Sequence, residues 1–175
     1  MWTRFFPAVE QARRLALGDG TTGGGGVIGE VVQVVSDFNF NASDSDAYPT
    51  SFFYDRALGG GASYLVAPYP LAAATLFFRG AQPGAIKVVG QVDDERTGVD
   101  LQASMIMSFP PTGTVPPALD PNNTRENTAK LPGAGMAICS YGFLGESDEQ
   151  TLIIGTKGRM VIETPRIVLP RSNLH

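Results

Sequence analysis

The chain has 175 residues, 43% of them hydrophobic, and a formal net charge of −4. Its length and composition are typical of a single globular domain, and its negative charge excludes the basic surface that nucleic-acid-binding proteins need. The only cysteine, Cys139, excludes a disulfide within the chain, and its place in an alternating segment predicts a small buried hydrophobic side chain. We therefore expect a soluble, intracellular protein, and the sequence leaves its compartment, organellar or otherwise, open.

The first segment predicts a helix and a linker. Residues 7–17 begin with Pro7 and continue with helix formers, and Gly18 ends the predicted helix. The glycine-rich segment 19–26 has neither a strand before it nor the Lys-Ser or Lys-Thr pair of a phosphate-binding loop after it. We assign it no phosphate site, and we divide the chain into an N-terminal helix and linker (1–26) and one domain (27–175).

The centre of the chain combines a strand and an apolar helix. Residues 27–40 alternate between apolar and polar side chains, which predicts a long strand. A triple glycine at 59–61 then opens an apolar run, in which Pro70 fits the first turn of a helix over 70–79 and Gly80 fits its C-cap. Residues 62–69 are expected to form a separate irregular turn. This helix is apolar on every side, so it must be covered on more than one face, and it is too short to span a membrane.

The second half predicts strands and one long loop. The strands are expected at 85–92, 99–109, 134–143, 150–155 and 159–164, with a turn over 155–158 joining the last two as a hairpin. The acidic residues 93–95 are expected to be a solvated hairpin tip, and the proline-rich segment 110–133 a surface loop. Several strands with two helices and no regular strand–helix alternation indicate an α+β domain with an open, mostly antiparallel sheet.

Five short motifs carry a resemblance to a known family. They are Met1-Trp2-Thr3-Arg4-Phe5-Phe6-Pro7, Ile28-Gly29-Glu30-Val31, Leu58-Gly59-Gly60-Gly61-Ala62 with Tyr69-Pro70-Leu71, Thr97-Gly98-Val99-Asp100 and Gly155-Thr156-Lys157-Gly158. In this order they resemble the C-terminal domain of the Gfo/Idh/MocA oxidoreductases, within the trans-dihydrodiol dehydrogenase branch. The resemblance implies a broad open sheet with helices packed on one face and the other face free to form a dimer.

The resemblance also implies candidate site residues. The family places an aspartate after the triple glycine and a tyrosine or histidine four positions later, and these positions fall on Leu65 and Tyr69. The tyrosine is kept, whereas the leucine can neither accept a proton nor orient a substrate hydroxyl. Tyr69 is therefore a candidate catalytic residue, with a purely structural place in the core as the alternative. Trp2, Arg4 and Phe5 are implied to line a substrate pocket, or else to pack under the first helix.

No cofactor-binding or metal-binding residue is expected in this chain. The family holds NAD(P) on a glycine-rich turn of a nucleotide-binding (Rossmann) domain and uses the lysine of a Glu-Lys-Pro motif, and neither element occurs here. The only histidine is His175.

Two functions follow from these observations. In the first, favoured by Leu65 and by the Ala67-Pro68 pair, the chain is a non-catalytic, oxidoreductase-derived domain. It would act as a structural or interaction subunit of a larger assembly, contacting other protein subunits through the open sheet face or edge. In the alternative, it is the substrate-binding and dimerisation domain of an NAD(P)-dependent, dihydrodiol dehydrogenase-like oxidoreductase, with the nucleotide-binding domain outside this sequence. Neither function involves nucleic acid or a transmembrane segment.

Overall fold

A computed structural model describes residues 5–18, 26–42, 48–109 and 135–163. It contains three α-helices, α1 (Pro7–Leu17), α2 (Ala62–Leu65) and α3 (Pro68–Phe77), and two 3₁₀ turns, Phe52–Tyr54 and Arg56–Leu58. The strands are β1 (Val31–Asn39), β2 (Ala85–Val92), β3 (Asp100–Phe109), β4 (Gly135–Gly142), β5 (Thr151–Gly155) and β6 (Arg159–Ile162).

The six strands form one sheet in the order β2-β3-β4-β1-β5-β6. Every neighbouring pair is antiparallel except β1 and β4, which run parallel at the centre. The helices lie on one face: α3 packs on β1, β4 and β5, α2 on β3 and β4, and α1 on β6 and α3. The predicted α+β class, with a mostly antiparallel open sheet and helices on one face, is confirmed. No nucleotide-binding domain of the Rossmann type occurs among the described segments.

The core lies between the central strands and α3. Val34, Ala137, Cys139 and Ile153 are fully buried on the helix side of the sheet, in one cluster with Phe77 of α3. The thiol of Cys139 faces the Pro70 carbonyl oxygen at 3.5 Å, and burial raises the pKa of this thiol to about 12. Cys139 is thus the buried, neutral side chain that the sequence predicted.

Helix α3 begins two residues earlier than predicted. Pro68 and Pro70 both fit its first turn, because the N–H groups of a first turn have no partner inside the helix and a proline there loses nothing. Gly80 closes the helix in the left-handed conformation that the sequence predicted, with φ of +76°, and its N–H donates to the Thr75 carbonyl. The predicted irregular turn over 62–69 contains the four-residue helix α2, which ends before Val66.

Strand β1 is shorter than the predicted 27–40. Gly29 adopts φ of +78° and donates its N–H to the Gly26 carbonyl, so the chain turns before the strand begins. Two backbone hydrogen bonds, from Lys157 to Ile28 and from Thr156 to Glu30, fix this turn beside the β5–β6 hairpin. The predicted loop 110–133 lies outside the described residues, and the division of the chain at residue 26 stays a prediction.

Among the described helices, none is long and apolar enough to cross a membrane.

Gly135 offers a test of the packing over the sheet. A Cβ atom at this position would enter the ring of Phe78, which stacks on Phe109 with 4.2 Å between ring centroids and cannot move aside. We expect Gly135→Ala to lower the free energy of unfolding by about 1–3 kcal/mol through overpacking, measured by urea denaturation. Gly145→Ala is the matched control, because its added Cβ atom would have no atom within 4 Å among the other described residues, apart from its chain neighbours. Equal midpoints for the two variants would contradict this packing.

Candidate functional site

The candidate site lies at the carboxyl end of β1, where α2 and the start of α3 meet the sheet. We call it the Tyr69 site and define it by Phe38, Ser63, Leu65, Tyr69 and Tyr141. A second core cluster underlies it, rich in aromatic side chains, and includes Tyr54, Tyr141 and Phe143. The site is therefore a set of polar groups at the edge of an aromatic core.

Tyr69 is held rigidly by its neighbours. It is the second residue of α3, and its half-buried ring stacks on Phe38 with 4.5 Å between centroids and 14° between planes. Phe38 is supported in turn by an edge contact with Phe40 at 6.4 Å. Stacked and edge-on aromatic pairs restrict ring orientation. The phenol of Tyr69 therefore has a defined position at the first turn of α3.

Leu65 is the residue at which the family resemblance predicts the loss of an aspartate, and this assignment stays a prediction. Leu65 ends α2, is half-buried and packs against the aromatic core. The nearby carboxylate of Asp100 is already engaged, because one of its oxygens accepts the Ser63 N–H at 2.7 Å. The Ser63 and Tyr141 hydroxyls are hydrogen-bonded to each other at 3.1 Å. These groups fasten α2 to the sheet, and Leu65 itself supplies no proton acceptor.

The β2–β3 hairpin anchors the chain before the site. One carboxylate oxygen of Asp93 accepts hydrogen bonds from the hydroxyls of Thr97, at 2.7 Å, and Tyr48, at 3.1 Å. Those two bonds, the one from Thr97 above all, lower the pKa of Asp93. The guanidinium of Arg96 lies 5.8 Å from the centroid of the Tyr48 ring. The expectation of a merely solvated acidic tip is wrong for Asp93, because its carboxylate accepts two protein donors.

Tyr54 is a residue that sequence reasoning missed. It is 3% exposed, its hydroxyl has no hydrogen-bond partner among the described residues, and its ring meets Tyr48 and Phe143 edge-on. Burial raises the pKa of this phenol. The run Phe52-Phe53-Tyr54 could have signalled an aromatic contact, but no pattern indicated which of the three rings is buried.

The predicted pocket residues fall in different places. Trp2 and Arg4 lie outside the described residues. Phe5 precedes α1 and is 82% exposed, so its predicted alternative role, packing under the helix, is wrong. Its role in a substrate pocket stays a prediction.

The glycine-rich segment does not fit a phosphate at its described end. Gly26 lies against the last turn of α1, where the Val27 N–H donates to the Leu15 carbonyl. The carboxyl end of a helix carries a partial negative charge and repels anions. The described residues also contain no group of three or more His, Cys, Asp or Glu side chains that could hold a metal ion.

The comparisons with known proteins agree with this geometry. A model of the GFO/IDH/MocA C-terminal domain matches residues 24–116, which is more than half of the chain. The chain belongs to this family. Among curated proteins, it is similar to a trans-1,2-dihydrobenzene-1,2-diol dehydrogenase of Xenopus laevis, with 26% identity over 94% of this chain and 38% of the relative. The family and branch recognised from the motifs are confirmed.

Solved structures show the same fold. An NAD binding oxidoreductase from Klebsiella pneumoniae has a TM-score of 0.63 and 16% identity over 92% of this chain and 38% of its own. GenD2 from gentamicin A biosynthesis, solved in complex with NAD, has a TM-score of 0.61 and 16% identity over 91% and 37%. The chain thus spans less than two-fifths of the relatives that it matches.

The buried hydroxyl of Tyr54 leads to a stability prediction. Because this hydroxyl has no hydrogen-bond partner in the part of the chain that the structure describes, we expect Tyr54→Phe to leave the free energy of unfolding unchanged or to raise it by about 1 kcal/mol. Tyr141→Phe, which removes the bond to Ser63, should lower it by about 1 kcal/mol and serves as the matched comparison. Denaturation in urea at pH 7 measures both. Equal losses in the two variants would show that Tyr54 has a partner.

The same phenol predicts a dependence on pH. Burial raises the pKa of Tyr54 above its unfolded value of about 10. The stabilisation of the fold by the neutral phenol is therefore present below about pH 10 and is lost as the pH rises further. We expect the native chain to lose more stability than Tyr54→Phe between pH 9 and pH 11, measured by thermal unfolding. Parallel curves would contradict the assigned burial.

Proposed function

We propose that this chain supplies the substrate-facing and subunit-association part of an NAD(P)-dependent oxidoreductase of the dihydrodiol dehydrogenase type. The observation that carries the proposal is the fixed phenol of Tyr69, at the position where the family places a tyrosine or histidine. The family match across residues 24–116 and the dehydrogenase relative support it. The substrate class, a cyclic compound with neighbouring hydroxyl groups, follows from the name of that relative.

In this role the chain binds and orients the substrate. The Tyr69 hydroxyl would donate a hydrogen bond to the substrate oxygen, or accept its proton, while the stack on Phe38 keeps the phenol aimed. NAD(P), held by protein outside the described residues, would supply the hydride acceptor or donor for the carbon that carries this oxygen. The described residues do not fit a nucleotide, so the groups that would hold it belong to protein outside them.

A second candidate function is favoured by one specific observation. Leu65 stands where the resemblance places an aspartate, and it packs against the aromatic core. Such a chain could be a non-catalytic relative that acts as a structural or interaction subunit. The two functions differ in one measurable property, because only the first requires turnover that depends on NAD(P) and Tyr69.

The role of Tyr69 is tested by removing its hydroxyl. In the native polypeptide, with its nucleotide-binding part, we expect Tyr69→Phe to lower kcat/KM for a dihydrodiol by about 100-fold or more, because a positioned proton-transfer group is lost. Tyr64→Phe, an exposed tyrosine of α2, is the matched control and should leave turnover unchanged. Equal activities of all three proteins would contradict a role for Tyr69. No turnover in the native protein would favour the non-catalytic candidate.

The open face of the sheet supports the association part of the proposal. One cross-strand row of side chains runs through five strands on the face opposite the helices: Val161, Leu152, Val35, Ile138 and Ile106. Val161 and Ile106, at the two ends of the row, are each exposed by nearly half of their surface. A continuous apolar row of this kind is typical of a protein–protein contact. We propose that a second copy of the chain covers it.

A charge in the row tests this contact. Ile106→Lys should weaken self-association by about tenfold or more, because a buried unpaired ammonium group costs well over 1.4 kcal/mol. The fold of the variant chain should be unaffected, since the Ile106 side chain is 48% exposed in the single chain. Leu58→Lys, an exposed site away from the sheet, is the control. Sedimentation velocity measures the effect, and unchanged association of Ile106→Lys would exclude this face.

A further inference from the structure

Strand β2 combines an outer position with unusual exposure. Among the described strands it is the last of the sheet on its side, and all eight of its residues are exposed. Its helix-side residues Ile86 and Val88 are each 50% exposed, because the main contacts of α2 and α3 are with other strands. On the opposite face, Val89 is 80% exposed. The outer edge of β2 therefore presents both apolar side chains and backbone hydrogen-bonding groups.

Such an edge is normally protected. Native proteins shorten exposed edge strands or place several charges, prolines or bulges on them. The sequence of β2, Ala-Ile-Lys-Val-Val-Gly-Gln-Val, contains one charged residue, Lys87, and no proline. Its irregularity lies only at the far end, between Gln91 and Val92. From Ala85 to Gln91 the edge is a regular, unprotected template for another strand.

We propose that β2 pairs antiparallel with β2 of a second copy of this chain, joining the two sheets edge to edge. The chemistry of the strand favours itself as the occupant. A two-fold axis perpendicular to the sheet keeps each side chain on its own face, so residues of equal parity face each other. With the axis at Val89, Val89 faces its own copy, Ile86 faces Val92, Val88 faces Gly90, and Lys87 faces Gln91. Apolar residues thus meet apolar residues or glycine, and polar residues meet polar ones.

The charges agree with this register. Each Lys87 lies about 13 Å along the strand from its copy, which is beyond the screening length of about 8 Å at physiological salt. Shifting the axis to Val88 would instead place Lys87 opposite Val89. The register centred on Val89 is therefore the better of the two.

This contact differs from the open-face contact, because it joins the strand edges and not the sheet faces. Ile86 and Val88 lie on the helix side of the sheet, whereas Lys87 shares the open face with its cross-strand neighbour Ile106. Pairing of one strand buries less surface than the standard stable interface of about 1,600 Å². The association should therefore be weak and should be seen only at high protein concentration. Edge pairing of β2 does not depend on whether the chain takes part in catalysis.

Disulfide trapping tests the register directly. Val89→Cys should form a disulfide-linked dimer on mild oxidation, because directly opposed residues have Cβ atoms about 4.5–5.5 Å apart. Gln91→Cys is the matched control and should stay monomeric, since it faces Lys87 of the other copy. The native thiol, Cys139, is buried and will not interfere. Both variants are made in the full chain that also carries Ile106→Lys, which weakens open-face association by about tenfold or more and so limits its contribution to the crosslink.

A second variant tests the apolar contact at Val88. Val88→Lys on the helix side should abolish trapping by Val89→Cys and should weaken the association seen in sedimentation by about tenfold, while circular dichroism confirms the fold. Efficient trapping at residue 89 but not 91, lost with Val88→Lys, would support edge pairing in this register. Equal trapping at both positions, trapping that survives Val88→Lys, or no trapping at either position would overturn it.

Discussion

The packing of α3 across the central strands is the interaction on which the rest of the structure depends. The first turn of α3 stacks Tyr69 on Phe38, near the carboxyl end of β1, and Phe77 at its end belongs to the same buried cluster as Val34. The helix is apolar and short, so it needs the sheet beneath it to be stable. Because the helix begins at Pro68, this packing also fixes where Tyr69 stands. The same contact that forms the core thus positions the candidate site.

Covering the sheet on one face leaves the opposite face and the β2 edge exposed. The helices bury the side chains of β1 and β4 on one side, and strand alternation then directs Val35, Ile138 and their cross-strand neighbours to the other. Six strands and three helices cannot enclose every apolar residue of such a sheet. We therefore propose association with other protein surfaces, which suits both a catalytic and a non-catalytic oxidoreductase domain.

Much of the fold could be predicted from the sequence, because alternation and punctuation are local signals. The strands of the second half and the closure of α3 at Gly80 were predicted within a residue or two. The parallel pairing of β1 with β4 was not, because it joins segments separated by two helices and two strands, and no local pattern records such a contact. The predicted start of β1 was wrong, because the left-handed turn at Gly29 interrupts a run that alternates in the sequence.

The candidate site was only partly predictable. The spacing after the triple glycine predicts a role for Tyr69 and a lost aspartate at Leu65. Both follow from a resemblance in linear order, and both stay predictions. The stack on Phe38, the two bonds to Asp93 and the buried hydroxyl of Tyr54 depend on distant segments that meet only in the folded chain.

The most direct measurement is the mass and NAD(P)H binding of the native polypeptide purified from its source. We expect a longer polypeptide that binds NAD(P)H, whereas a 175-residue chain recovered in fixed ratio with other subunits and without NAD(P)H binding would contradict an oxidoreductase function.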